Sequence, residues 1–353
     1  MERSLWRKAR GISLPQVFKS VNAWFIMFCV LWMQRGSDAQ GVAGSSGAYL
    51  RPPMGAAATA MGGAYTAAPD YYAPWWNPAV LANLRSSHFA AGTGLQSLGQ
   101  MDGYGSFEFR IPPRVGMGLF MLYRGTSLGT LYDLDDNPLP SSSYTTLTFK
   151  VAVSYYMSRQ FSIGVCIDAL YQSLPLPLYD VGGIHYASAT GIGSFDFAGV
   201  YRVSNAWTVA AVLKNIGAKM EWQMGDLAPI VIDQPLPSIT VGSKYATSLG
   251  EKPLIWTADC IGYVFYEHNE AVLCTGAEWR RWENFYVRAG IGNVPITGDI
   301  INNSEQYAKE FGMRFCLGFS YKPVRKGLWV NYSAATNELW AGIDQQLDVT
   351  MSF

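Results

Sequence analysis

Charge is scarce in this chain. Only 15% of its 353 residues are Asp, Glu, Lys or Arg, and 26 basic residues balance 26 acidic ones to a formal charge of zero. A soluble domain usually carries about a quarter charged residues, and a nucleic-acid-binding protein carries a basic excess. The chain has neither, so no nucleic-acid partner is expected. Histidine is rarer still, at three residues. His185 and His268 fall in expected loops, and His88 stands apart from any local catalytic signature. The chain therefore reads as a non-enzyme, although a Ser-His-Asp site assembled from distant residues stays open.

Cysteine pairing is missing too. Of five cysteines, Cys29 lies in the N-terminal apolar run, and Cys166, Cys260, Cys274 and Cys316 are scattered without C-x-x-C spacing. That excludes a disulfide framework and a zinc site, and leaves four small interior-facing residues. The acidic run DLDDN, Asp133 to Asn137, lacks the glycine and distal glutamate of a calcium loop and reads as a solvated loop. The glycine-rich stretches do not open helices, which leaves a phosphate cradle unsupported. No metal and no cofactor is expected.

Long hydrophobic runs are absent beyond the N-terminus. There, Arg3, Arg7, Lys8, Arg10 and Lys19 precede the apolar run Ala23 to Met33, with small residues Ser37 and Ala39 following. Residues 1–39 read as a signal peptide cleaved near Ala39-Gln40. The apolar run is shorter than the roughly 20 residues a membrane helix needs.

What the chain has is aromatics at 14%, glycine at 36 residues, and alternation with a period of two. In FGMRFCLGFSYK one face carries Phe311, Met313, Phe315, Leu317, Phe319 and Tyr321, while the other carries Gly312, Arg314, Cys316, Gly318, Ser320 and Lys322. Side chains along a strand alternate between faces, so the segment has one continuous apolar side. Leu147–Met157, Phe161–Tyr171, Phe195–Arg202 and Phe285–Ile291 repeat the split. Segments of this kind run about 10 residues, the length of a tilted membrane strand. About fourteen follow Ser86, joined alternately by short turns and by longer loops near 125–143, 172–188, 215–236 and 292–308. A soluble β-sandwich also alternates, but its polar face would be rich in Lys, Glu and Thr. Here that face is mostly Gly, Ala, Ser or one isolated charge, and aromatics cluster at strand ends, as at a membrane interface.

The expected fold is thus all-β: a transmembrane antiparallel barrel of about 14 strands over residues 85–353. Residues 40–84 form a segment of their own. Asp168, Asp196, Arg202, Glu278, Arg280, Arg288 and Arg314 are expected to face the lumen and pair with one another. The chain ends in LDVTMSF, where Leu347, Val349, Met351 and Phe353 alternate with Asp348, Thr350 and Ser352. This resembles the C-terminal signal of outer-membrane barrels, which implies recognition by the barrel-insertion machinery, surrounding outer-membrane lipid, and a Gram-negative-type outer-membrane location.

The stretch Tyr49 to Ala82, YLRPPMGAAATAMGGAYTAAPDYYAPWWNPAVLA, resembles the N-terminal signature of the PorV/PorQ group, barrels related to the FadL-type long-chain fatty-acid transporters. The matching pieces are Arg51, Met61 to Ala64 with Gly62 and Gly63, Ala67 with Asp70, and Trp76-Asn77-Pro78-Ala79. Lys214–Trp222, Leu236–Tyr245 and Gly276–Gly292 extend the resemblance over the mature chain. It implies a hatch tucked into the lumen, with the Asn-Pro-Ala turn at the periplasmic end. Small residues between Gly55 and Ala68 suit close packing in a narrow lumen. Asp70 is expected to cap a helical turn that begins near Tyr71 and ends at Asn77-Pro78, with Trp75 and Trp76 wedged against the wall or placed at the rim. The resemblance carries two roles. PorV-type function implies secretion-system proteins and exported cargo as partners, in a type IX-like pathway. FadL-type function implies passive transport of a hydrophobic small-molecule ligand.

Overall fold

The structure is a computed structural model that describes residues 47–67, 69–127, 138, 143–178, 183–223, 231–264, 269–296, 312–323, 327–336 and 342–353. Residues 1–39, DLDDN and His268 lie outside these. Among the described residues sixteen strands run in order: β1 (His88–Leu95), β2 (Gln100–Ile111), β3 (Val115–Ser127), β4 (Ser143–Tyr156), β5 (Phe161–Leu178), β6 (Gly183–Arg202), β7 (Trp207–Ile216), β8 (Met220–Gln223), β9 (Val231–Asp233), β10 (Ser238–Leu249), β11 (Lys252–Val264), β12 (Asn269–Trp282), β13 (Phe285–Pro295), β14 (Arg314–Tyr321), β15 (Leu328–Thr336) and β16 (Ile343–Ser352).

Fourteen of them close a ring. Each pairs antiparallel with its neighbour, and β1 meets β16 with His88 opposite Ser352 and Leu95 opposite Gln345. The remaining two, β8 and β9, add to β6 outside the ring order. A closed ring leaves no exposed sheet edge, which a membrane does not tolerate. A sandwich is ruled out by the same closure.

Burial is inverted relative to a soluble protein. On β14, Phe315, Leu317, Phe319 and Tyr321 are exposed, whereas Arg314, Cys316 and Ser320 are buried. On β4, Phe149 and Val153 face out while Lys150 and Ser154 face in. The outward apolar band suits hydrocarbon, and Tyr155, Tyr201, Trp282 and Tyr321 stand exposed at the short-turn ends of their strands. Leu347, Val349, Met351 and Phe353 share this outward face, with Phe353 stacked on Phe107 at 6.4 Å. Cys166, Cys260, Cys274 and Cys316 are buried and free.

Two loop expectations give way. Residues 172–188 are mostly strand, because β5 and β6 run 18 and 20 residues and stay paired from Phe161–Tyr201 to Leu178–Gly183. His185 therefore lies in β6 rather than in a loop. The 215–236 connection holds β8 and β9, which add backbone pairing to the overhanging part of β6. Short turns at 112–114, 157–160, 203–206 and 283–284 share one rim, the periplasmic one in an outer-membrane barrel.

Candidate functional site: the hatch and the lumen

Residues 47–84 fill the ring. They comprise a 3₁₀ turn (Ala48–Leu50), helix α1 (Ala56–Ala60), helix α2 (Ala73–Trp76) and a second 3₁₀ turn (Pro78–Asn83). Helices of five and four residues do not hold themselves together in water. Their order comes from the wall, which supports them first at the backbone.

That backbone contact is close. Gly62 adopts φ 71°, a conformation that disfavours side chains, and a Cβ there would lie 2.6 Å from the Ile291 carbonyl carbon. Across from it, a Cβ on Gly290 of β13 would stand 2.3 Å from the Gly62 nitrogen. Gly63, at φ 85°, completes the turn. The small residues of the sequence signature thus meet small residues of the wall, and backbone lies on backbone.

Wall carboxylates also accept hatch N–H groups. Asp348 on β16 accepts from Ala56 N at 2.7 Å, at the start of α1. Glu108 on β2 accepts from Ala73 N at 2.7 Å, at the start of α2. Asp259 on β11 accepts from Tyr65 N and Thr66 N at 3.0 and 2.9 Å. Helix N-termini leave N–H groups without intrahelical partners, and a carboxylate there gains from the helix dipole as well.

Asp70 does not cap α2. Tyr72 occupies the N-cap with a left-handed φ of 61° and makes no side-chain cap, so the helix starts at Ala73, and Glu108 takes the capping role from the wall. Asp70 sits part-exposed at the short-turn end instead, 3.9 Å from Arg280. Asn77 does end the helix, and its Oδ1 accepts from Ala79 N at 3.0 Å to begin the next turn. Its Nδ2 donates to Thr66 O at 2.8 Å, which ties the two halves of the hatch together. Pro78 and Ala79 are buried, and Ala79 O accepts from Ser162 Oγ of β5 at 2.8 Å.

Both indoles are inside the lumen, 3% and 7% exposed, rather than at the rim. Trp75 packs on Phe120 of β3 with ring centroids 5.2 Å apart. Trp76 Nε1 donates to Met54 O at 2.9 Å, and its ring meets Tyr65 edge-on at 5.8 Å. Lys214 of β7 donates to Trp75 O at 2.7 Å and lies 5.5 Å from the Trp76 ring centroid, a cation–π contact. Burial holds the Tyr65 and Tyr72 phenols well above their ordinary range, so the hatch's aromatic core stays neutral.

Of the expected lumen charges, Glu278, Arg280 and Arg288 pair with one another, while Asp168, Asp196 and Arg314 pair with Lys150 and Asp344, outside the expected set. Lys150 bridges Asp168 at 2.5 Å and Asp196 at 2.8 Å. Glu278 takes Arg288 and Arg280, each at 2.6 Å, and Arg314 meets Asp344 at 3.0 Å. Arg124 and Asp102 form a further bidentate pair at 2.6 and 2.8 Å. Arg202 departs from the pattern. It shares the inward face of Asp196 but lies below the hatch, exposed at the short-turn mouth. Cys166, Asp168 and Asp196 bring three ligand-type atoms within 4.8 Å of one another. The Lys150 ammonium already provides the cation both carboxylates need, so a metal there would have to expel it.

Between the hatch and β10–β13 lies a chamber of about 90 Å³, bounded by Arg51, Trp75, Trp76, Lys214 and Tyr263. Arg51 stands over the Tyr263 ring at 5.5 Å. On the membrane side of the same wall is an apolar recess of about 710 Å³, lined by Trp256, Ala277, Ala289, Leu317, Ala334 and Ile343 among others. Leu273 faces Val294 but Thr275 faces Ile291, so β13 carries an extra residue here, and Asn293 adopts φ 55°. A β-bulge of this kind interrupts pairing locally.

The residues that sequence reasoning passed over are Glu108, Lys150, Lys214, Asp259 and Asp348. Strand parity already placed Lys150 and Asp348 on the inward face. What parity does not give is that a carboxylate meets a backbone N–H from a segment hundreds of positions away.

No protein-family model matches the sequence, and no curated protein matches it. Solved structures do. The toluene transporter TodX of Pseudomonas putida aligns at TM-score 0.55 and 13% identity, over 85% of this chain and 97% of that one. The toluene transporter TbuX of Ralstonia pickettii aligns at 0.53 and 14%, over 86% and 99%. A FadL homologue of Pseudomonas aeruginosa aligns at 0.50 and 11%, over 86% and 98%. At these identities the likeness establishes the fold: this chain is a closed 14-strand antiparallel barrel of the kind seen in FadL-type outer-membrane proteins.

Proposed function

We propose that this chain is an outer-membrane channel for hydrophobic small molecules, closed in the conformation described here by its N-terminal hatch. The observation that carries the reading is the wall at β12–β13. On its outer side lies the apolar recess, on its inner side the hatch backbone from Met61 to Gly63, and between them only one layer of bulged strand. An apolar recess of several hundred Å³ suits a hydrophobic ligand. The inner chamber, at about 90 Å³, is too small for one, so passage requires the hatch to shift. Trp75, Trp76 and Tyr263 offer apolar surface along the way, and Lys214 and Arg51 offer cations for a polar end.

The likeness to toluene transporters supports this reading over the protein-handling role that the PorV/PorQ resemblance implies. The hatch signature by itself favours neither. Proteoliposomes carrying the purified protein, loaded with a solvatochromic hydrophobic dye or given labelled fatty acid or toluene, should equilibrate faster than empty ones. A flux equal to that of empty liposomes, together with an altered secretome in a deletion strain, would overturn the proposal.

A further inference from the structure

The short-turn mouth gathers five cations, four of them outside the lumen network. Beneath the hatch lies a basin of about 460 Å³ bordered by Arg85, Arg159, Arg202, Lys244 and Arg280, with Asp70 as the one carboxylate among its lining residues. Among the described residues, Arg85, Arg159, Arg202 and Lys244 take part in no ion pair, and Arg280 is held mainly by Glu278 at 2.6 Å. With Glu278 and Asp70 set against Arg280, four cations of the basin are left without an acidic partner among the described residues, a local excess in a chain whose formal charge is zero. Three of these side chains face the lumen rather than the lipid. Arg202 continues the inward face of Asp196 and Val200, Lys244 that of Gly242, and Arg280 that of Glu278, so they turn away from the membrane. Like charges converging in a concave mouth repel one another and focus a positive field into it.

We propose that this basin is a docking site for an extended acidic segment of another protein, entering from the short-turn side. Its volume falls within the range of small-ligand pockets, too small for a folded domain and large enough for a few side chains. A single carboxylate would satisfy one or two of the cations, whereas carboxylates spaced along an extended chain reach several around the perimeter. The hatch forms the floor through Val80 and Asn83, and Asp70 already reaches towards Arg280 from it. An acidic segment in the basin competes with Asp70 for Arg280 and so contacts the hatch directly from below.

The test uses the full chain in detergent micelles and the anisotropy of fluorescein-labelled decaglutamate, with decaglutamine as the neutral control. Decaglutamate should bind, weaken steeply as salt rises towards about 0.5 M, and lose about tenfold or more in affinity in the R159E/R202E double variant. Both residues are exposed, so the variant keeps its barrel, checked by heat-modifiable migration on a gel. Reversing Lys252, exposed on the same rim but outside the basin, should leave the affinity unchanged. Three results would each overturn the proposal: equal binding of decaglutamine, unchanged affinity in R159E/R202E, or an equal loss in K252E. Citrate or pyrophosphate competing at the concentration of decaglutamate would also overturn it, by making the basin a small-anion site.

Discussion

Asp348 and Ala56 are 292 positions apart, yet the Asp348 carboxylate accepts the Ala56 backbone N–H at 2.7 Å, and the final strand thereby holds the first helix of the hatch. Neither end of that bond depends on what side chain the hatch carries at residue 56. Asp348 also accepts from Asn331 Nδ2 at 2.5 Å, which fixes the carboxylate from the wall side. Substituting Asp348→Ala should weaken hatch docking by about 1.5–3 kcal/mol, the range for a hydrogen bond to a charged group. The barrel should still form, and limited proteolysis should cut the hatch sooner than in the parent. Unchanged proteolysis would mean that α1 is held without this carboxylate.

Replacing Trp75 and Trp76 together with alanine removes the packing on Phe120 and the cation–π seat for Lys214. Truncating a buried Trp to Ala costs about 3–5 kcal/mol each in a packed core. The strands do not rely on either indole, so heat-modifiable migration should persist while single-channel conductance in planar bilayers rises. A folded barrel with no added conductance would remove both residues from the gate.

Gly290→Val offers a test with opposed signs. Valine suits a strand better than glycine, but its Cβ would stand 2.3 Å from the Gly62 nitrogen. The strand should tolerate the change and the hatch should not. A single cysteine placed at Ala60, buried in the parent, should then react with a water-soluble maleimide at least several-fold faster than in a Gly290 background.

Lys150 has a purely structural part. Lys150→Met strands Asp168 and Asp196 as buried like charges, and breaking a buried ion pair from one side costs about 3–5 kcal/mol. The temperature at which the barrel loses its compact gel mobility should fall. Adding Asp168→Asn and Asp196→Asn should recover most of the loss, since the neutral set leaves no charge unpaired. Failure of the triple variant to recover would argue that the lysine positions the hatch through its neighbour Trp75, whose ring centroid lies 5.5 Å away.

The barrel was legible because a membrane strand states its two environments in alternate residues. Phe315, Leu317 and Phe319 could face only lipid if Arg314, Cys316 and Ser320 faced a filled lumen, and period-two alternation needs no long-range knowledge. The overhang of β5 and β6, where Leu174–Leu178 pair with Gly183–Ala187, was hidden because prolines at 175 and 177 suggest a loop. Arg202 was placed on the correct face but not at its depth, since parity gives side and not height. Asp70 misled for another reason. Local spacing made it the natural cap for α2, while the group that wins, Glu108, is brought there by barrel closure.

Leu84 ends the hatch four residues before β1 begins at His88. A segment tethered so closely meets its own receptor at an effective concentration on the order of millimolar. Under the proposed channel function, the hatch is an intramolecular competitor that no dilution removes. Raising the outside concentration of a permeant should increase flux only until hatch departure becomes limiting, after which the curve should saturate. That plateau would measure the off-rate of the plug, and it would be the same for every molecule that passes.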